Sequence, residues 1–249
     1  MKIKFFIIFL NLIFIECNSQ KIFINSIPKC GTNLVIRCVE LLTKRKATNI
    51  NENLVTVNQL PKVDPKPILF WHVGFSEQAL NIFKNNNFLG IFIYRDPRDR
   101  IISAAFWCLK YPHLLEQMGY KKGEKINFAD LITKLIPITK KEYDKYLGWL
   151  GTRSVFFPIK FEHLVGPKGG GKSYIQQQTI KNICNHLKIY ASVSTVNNCI
   201  KDLYGNTVTF REGKIGKWKN YFSAQHKKLF KQEFGNLLIR LGYEKNLNW

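Results

Sequence analysis

Two short segments hold the residues best suited to chemistry. The first is Ile27-Pro28-Lys29-Cys30-Gly31-Thr32-Asn33-Leu34; the second is Arg95-Asp96-Pro97-Arg98-Asp99, followed by Ser103. Each stands where an apolar run gives way to a helical pattern, so each offers backbone N–H groups at the positive end of a helix dipole. In the first, Gly31 permits a tight backbone, Pro28 stiffens the entry, Lys29 brings a mobile charge and Thr32 a hydroxyl. In the second, Arg95 can fork two bonds to one phosphate and Ser103 can add a third. Two such sites in one small chain point to a ligand with two separated phosphate-like groups, which is the form of a phosphorylated nucleotide cofactor. Taken singly, the first segment also fits an ordinary turn, and Asp96, Arg98 and Asp99 also fit a self-paired surface cluster.

The elements that must position these residues follow from periodicity. Lys21 to Ile27 and Phe88 to Tyr94 read as continuous apolar strands of the kind buried in a parallel sheet, with shorter strands at Pro67 to His72 and Val155 to Phe161. Helical patterns run over Asn33 to Lys44, from Ser76 as cap to about Lys84, over Arg100 to Leu109, Phe128 to Leu135, Glu142 to Leu150, Ser173 to Leu187 and Ala224 to Leu241. Ser173 and Gln176 have capping-box spacing, and residues 45–66 read as loop. Strand and helix alternate, which predicts an α/β fold: a single domain with a central parallel β-sheet flanked by helices on both faces.

At 249 residues the chain can bury a real core, and its 45% hydrophobic content is ordinary for a globular protein. Its charge is not ordinary: 38 basic residues stand against 17 acidic ones, a formal net charge of +21. Such a surface attracts anions, although a composition rich in Ile, Asn and Phe accounts for many of the lysines equally well. Lys2 and Lys4 precede the apolar run Phe5 to Ile15, too short to span a bilayer and suited to a signal peptide over residues 1–19. The folded domain is then expected over 20–249. The six cysteines form no CxxC pair and the five histidines are scattered, so no metal site is expected and disulfides stay open.

A third segment, Phe210-Arg211-Glu212-Gly213-Lys214-Ile215-Gly216-Lys217-Trp218-Lys219-Asn220, is basic, aromatic and punctuated by glycine. It reads either as a loop that closes over a nucleotide or as a solvated loop pinned by Trp218. With Phe161-Glu162-His163-Leu164-Val165-Gly166-Pro167-Lys168-Gly169-Gly170-Gly171, the segments resemble, in order and spacing, the sulfotransferases that use 3′-phosphoadenosine 5′-phosphosulfate (PAPS). The resemblance runs from about Lys21 to Gly242. It implies the P-loop-NTPase-like sulfotransferase fold and sulfuryl transfer from PAPS, without a metal, to a hydroxyl or amine. The acceptor implied is a small molecule or glycan, and no nucleic-acid partner is expected.

The resemblance also implies roles. Lys29, Cys30, Gly31, Thr32 and Asn33 are placed at the 5′-phosphosulfate; Arg95, Ser103, Arg211, Glu212 and Gly213 at the 3′-phosphate; and Phe161 near the adenosine. His72 takes the position of the general base, a task suited to an imidazole that titrates near neutrality, with Lys29 neutralising the leaving phosphate. The other histidines, His113, His163, His186 and His226, read as structural. Departures from the pattern are Cys30 for a hydroxyl residue, Leu34 for an aromatic, Glu212 for a basic residue, Lys217 for an Asp and Phe70 where some members carry a Lys. Phe70, Trp71, Phe75, Phe106 and Trp107 fit either acceptor walls or core. A lumenal or secreted location follows if the signal is real, and a cytoplasmic one otherwise.

Two other readings remain open on sequence. Gly166 to Ser173, GPKGGGKS, satisfies the Walker pattern of nucleoside-triphosphate kinases and hydrolases. A Walker loop leaves a buried strand directly, however, and here Glu162 and His163 intervene. The second is a degenerate member of the fold that only binds anions or glycans.

Overall fold

The computed structural model describes residues 20–50, 67–205, 207 and 210–249. The expected signal segment lies outside them. The strands are β1 (Lys21–Ser26), β2 (Ala47–Asn49), β3 (Ile68–Trp71), β4 (Phe88–Tyr94) and β5 (Phe156–Lys160). The helices are α1 (Thr32–Thr43), α2 (Glu77–Asn85), α3 (Pro97–Lys110), α4 (Pro112–Gln117), α5 (Phe128–Tyr146), α6 (Phe161–Leu164), α7 (Ser173–His186), α8 (Val193–Asp202) and α9 (Ala224–Arg240). They belong to two compact units, Met1–Tyr94 with Tyr146–Gly213 and Arg95–Lys145 with Lys214–Trp249.

The first unit holds the sheet. Its order is β2-β3-β1-β4-β5 and every pairing is parallel, as expected for an α/β fold flanked by helices. The two longest strands lie at the centre, where both faces are covered, and Ile24 stands opposite Ile91 there. Ile22, Phe23, Ile24, Ile91, Phe92 and Ile93 are all at most 1% exposed, which is why these strands read as unbroken apolar runs. One aromatic cluster packs edge to face on the sheet: Phe23 meets Phe83, Phe88 and Phe156, and Phe83 meets Trp149. From β1 the chain travels to the β2–β3 side and then returns to place β4 on the other flank. Open parallel sheets bind ligands outside the carboxyl ends of their strands at such a reversal.

The second unit is helical. α5 forms one continuous helix where two were expected, at 128–135 and 142–150. Pro137 lies inside it, but Leu131, Ile132, Leu135, Ile136, Thr139 and Tyr143 keep a single buried stripe running past the proline. Arg100 Nη1 donates to Thr139 Oγ1 at 2.6 Å and fixes the middle of that stripe. The helix then tightens into a 3₁₀ turn at Leu147–Gly151. α9 carries its own capping box: Ser223 accepts from His226 N, and His226 Nδ1 accepts from Ser223 N at 3.1 Å.

Three further expectations change. The stretch read as loop contains β2 as an edge strand on β3, with Ala47 opposite Ile68; residues 51–66 lie outside the described residues. The capping box at Ser173 does not form. Lys172 is the N-cap without a side-chain bond, and Gln176 is buried, donating instead to Leu164 O at 2.9 Å. α4 and α8 go beyond the expected set; the latter starts at a Ser192 cap whose hydroxyl accepts from Thr195 N.

Candidate active site

The first candidate loop grows out of the carboxyl end of β1. Cys30 N donates to Ile27 O at 3.1 Å and closes a turn in which Lys29 (φ 68°) and Gly31 (φ 105°) are both left-handed. Gly31 is also the N-cap of α1, and no side chain caps the helix there. The first amides of α1 are therefore presented by backbone geometry alone, an anion-binding arrangement. A Cβ on Gly31 would meet the Phe161 ring at 2.7 Å, so the position demands glycine for its conformation and for its neighbour. This contact brings Phe161, buried at the start of α6, against the loop. Cys30 is fully buried and its N–H is already engaged, so its thiol faces the core.

His72 follows β3. Its Nδ1 lies 2.9 Å from the Ser26 carbonyl oxygen and 3.0 Å from Ser26 Oγ. A carbonyl oxygen only accepts, so Nδ1 carries the hydrogen and the lone pair of the neutral ring sits on Nε2. Ser26 Oγ is in turn 2.7 Å from Thr32 Oγ1, which links the ring to the first residue of α1. The strand ends are held in register by Asn25, fully buried in β1. Its Oδ1 accepts from Ser26 N and Val73 N, both at 2.9 Å, and its Nδ2 donates to Val73 O at 3.0 Å. Trp149 Nε1 donates to Val73 O, and Tyr146 Oη to His72 O. Phe75, half-buried, packs on Trp149 at 5.2 Å between centroids.

The second candidate segment is built from charge. Asp96 caps α3 by accepting from Arg98 N, and Pro97 stands at the helix start. Arg98 turns back on Asp96 at 2.7 Å, reaches Glu244 at 2.5 Å, and lies over the rings of Trp218 and Trp249. It is 2% exposed, so the pairing exists but is buried rather than a surface cluster. Arg95, Asp99 and Ser103 are spaced by four residues and share one side of α3 and its lead-in. Asp99 accepts from Gly216 N at 2.7 Å and Trp218 N at 2.9 Å, while Arg95 Nη2 donates to Lys214 O at 2.6 Å and lies 3.8 Å from Asp99. Tyr143 Oη donates to Arg95 O at 2.5 Å. Burial pushes the Asp99 carboxyl above the ordinary range, against the pull of Arg95 and the two N–H donors. Trp218 is buried, with its backbone N–H on Asp99 and its ring under Arg98, and Phe106 packs on Phe128 and Tyr221.

The Arg211–Gly213 segment belongs to the first unit. Arg211 pairs with Glu212, whose carbonyl accepts from Tyr204 Oη. The glycine-rich run lies beneath: a Cβ on Gly169 would meet Gly213 O at 2.5 Å. Gly169 thus permits this close approach. The run starts after α6, with a 3₁₀ turn at Pro167–Gly169, and not directly from a strand, which removes the main structural requirement of a Walker loop.

Within the first unit the structure gathers Lys29 to Asn33, Phe161 and His72; within the second it joins Arg95 to the Lys214–Trp218 stretch. Sequence reasoning missed Ser26 and Asn25, two buried polar residues inside an otherwise apolar strand. That break in pattern was the available signal. It also missed Asp99 as the tether of the third segment.

Among the described residues no group of His, Cys, Asp and Glu is placed to hold a metal ion, and no helix is long and apolar enough to cross a membrane. No family model matches the chain, and no curated protein matches it. Solved structures do. Mouse sulfotransferase SULT7A1 complexed with PAP is 17% identical, with a TM-score of 0.67 over 88% of this chain and 84% of that one. Retinol dehydratase, in complex with androsterone and inactive cofactor PAP, is 13% identical, with a TM-score of 0.60 over 87% of this chain and 80% of that one. The same enzyme with retinol and PAP gives 13% and 0.59 over the same shares. With its parallel order β2-β3-β1-β4-β5 and these likenesses, the chain has the sulfotransferase fold.

Proposed function

We propose that this chain is a sulfotransferase that moves the sulfuryl group of PAPS to a hydroxyl or amine of a small-molecule or glycan acceptor. The observation that carries the reading is the His72 ring, fixed through Nδ1 on the Ser26 carbonyl beside an uncapped helix start. That arrangement leaves the lone pair of the neutral ring on Nε2 and links the ring through Ser26 to Thr32, the first residue of α1, which supports a general base near a bound anion. The solved structures of like fold contain PAP, adenosine 3′,5′-bisphosphate, which is what PAPS leaves behind.

In the proposed step the acceptor oxygen or nitrogen attacks sulfur as its proton passes to His72 Nε2. The bond between sulfur and the bridging phosphate oxygen breaks, and the bisphosphate leaves with the added charge, which Lys29 neutralises. The Thr32 hydroxyl and the backbone at Gly31 to Asn33 hold the 5′ end. By the resemblance, Arg95, Ser103, Arg211, Glu212 and Gly213 are assigned to the 3′-phosphate. No metal is needed for this reaction.

The basic composition favours an anionic acceptor such as an acidic glycan. Residues 1–19 would direct the protein to a lumen supplied with PAPS. A screen of hydroxyl- and amine-bearing acceptors with ³⁵S-labelled PAPS tests the activity: label appears on an acceptor with wild-type protein and not with His72→Ala. Label transfer that survives His72→Ala removes the base, and no transfer to any class of acceptor removes the reading.

A further inference from the structure

We propose that Ser26 is a positioning residue that couples His72 to the anion-binding hydroxyl of Thr32, so that the base and the donor site are oriented by one hydrogen-bond chain. The inference deepens the transferase reading and rests on it.

The direction of the chain follows from three distances. His72 Nδ1 is 2.9 Å from the Ser26 carbonyl, which can only accept, so Nδ1 bears a hydrogen whether the ring is neutral or charged. That N–H also faces Ser26 Oγ at 3.0 Å, so the hydroxyl meets the ring with a lone pair. The Ser26 proton then goes to its other close neighbour, Thr32 Oγ1, at 2.7 Å. Thr32, having accepted from Ser26, sends its own proton away from Ser26. Thr32 is the first residue of α1, beside left-handed Gly31 and the uncapped helix start, so that proton is available to an anion held by the loop. The sequence of donors is His72, Ser26, Thr32, anion.

Two consequences follow. The Thr32 hydroxyl is set as a donor before the phosphosulfate arrives, which removes a reorganisation cost from binding. An anion accepting from Thr32 makes each hydroxyl oxygen behind it a stronger acceptor, which strengthens the bond from Nδ1–H, stabilises the ring once it is protonated and so makes Nε2 a stronger base when the donor is present. The fully buried Asn25, by tying Ser26 N to residue 73, keeps the two strand ends at the spacing the chain needs.

The test uses the full-length protein, its Ser26→Ala and Ser26→Thr variants, and adenosine 3′,5′-bisphosphate as probe. ¹⁵N chemical shifts of the His72 ring report the tautomer of the wild type, and calorimetry reports affinity. The Nδ1–H form is expected. Ser26→Ala should weaken the bisphosphate roughly three- to ten-fold although Ser26 is not assigned to the ligand, and should lower kcat as well; Ser26→Thr, which restores a hydroxyl, should recover both. An Nε2–H ring in a wild type that binds the bisphosphate overturns the Ser26 assignment alone, as does Ser26→Ala with wild-type affinity and kcat. A wild type that shows the Nδ1–H ring but ignores the bisphosphate overturns the transferase reading, and the anion end of the chain with it.

Discussion

The loop after β1 and the segment after β4 are both candidates to hold an anion, yet they are built from different physics. The first relies on backbone: two left-handed residues, an uncapped helix start and a pair of linked hydroxyls, with Lys29 as its mobile charge. The second relies on buried charge: Arg95, Asp96, Arg98 and Asp99 are each at most 8% exposed and are woven into bonds with the Lys214–Trp218 stretch and Glu244. A site made of conformation is fixed chiefly by sterics. A site made of buried charge stays in place only while every partner is present and in its expected protonation state.

The largest effect that sharpens this comparison is on rate. His72→Ala should lower sulfuryl transfer about 10²- to 10⁴-fold while weakening the bisphosphate by no more than the roughly ten-fold expected for loss of the Ser26 link, measured by single-turnover kinetics and calorimetry. Equal losses in both would place His72 in binding instead of catalysis. Next, Arg95→Ala should weaken the bisphosphate by about 1.5–3 kcal/mol, the worth of charge-assisted bonds. Because Arg95 also donates to Lys214 O, it should lower stability too. Gly31→Ala attacks the other region: its positive φ and the 2.7 Å approach to Phe161 should cost about 1–3 kcal/mol of stability in chemical denaturation.

Asp99 separates the regions by pH. Its pKa is raised by burial, so the folded state holds this proton more tightly than the unfolded chain does. The group therefore favours the fold most at low pH, and its cost sets in as pH rises from about 4 through the raised value. Asp99→Asn should flatten that part of the stability profile. It should also lose about 1–3 kcal/mol, because one amide oxygen cannot serve the two N–H donors of Gly216 and Trp218. The smallest effect concerns Glu212. Releasing Arg211 by Glu212→Gln should tighten bisphosphate binding by less than about 1 kcal/mol, as befits a pair at the surface.

The sheet was legible because β1 and β4 are buried on both faces, and that burial writes itself into sequence as apolar runs ending at the two candidate segments. Ser76 announced α2 with its cap. What sequence hid were choices made by tertiary partners. The periodicity points to two helices, at 128–135 and 142–150, but a buried stripe continues between them past Pro137. Ser173 and Gln176 had the spacing of a cap, but Gln176 found the Leu164 carbonyl instead. The hydroxyl chain behind His72 joins residues 46 positions apart, beyond any local pattern. The same holds for Asp99, whose partners lie 117 and 119 positions along the chain.

One measurement bears most directly on the central claim that this chain grips a doubly phosphorylated adenosine donor. Thermal unfolding of the full-length protein should be followed with adenosine 3′,5′-bisphosphate and, separately, with ATP. Ligands that bind only the folded state raise its midpoint in proportion to affinity. The account predicts a clear upward shift with the bisphosphate, much reduced in Arg95→Ala, and little or none with ATP. Stabilisation by ATP alone would contradict it.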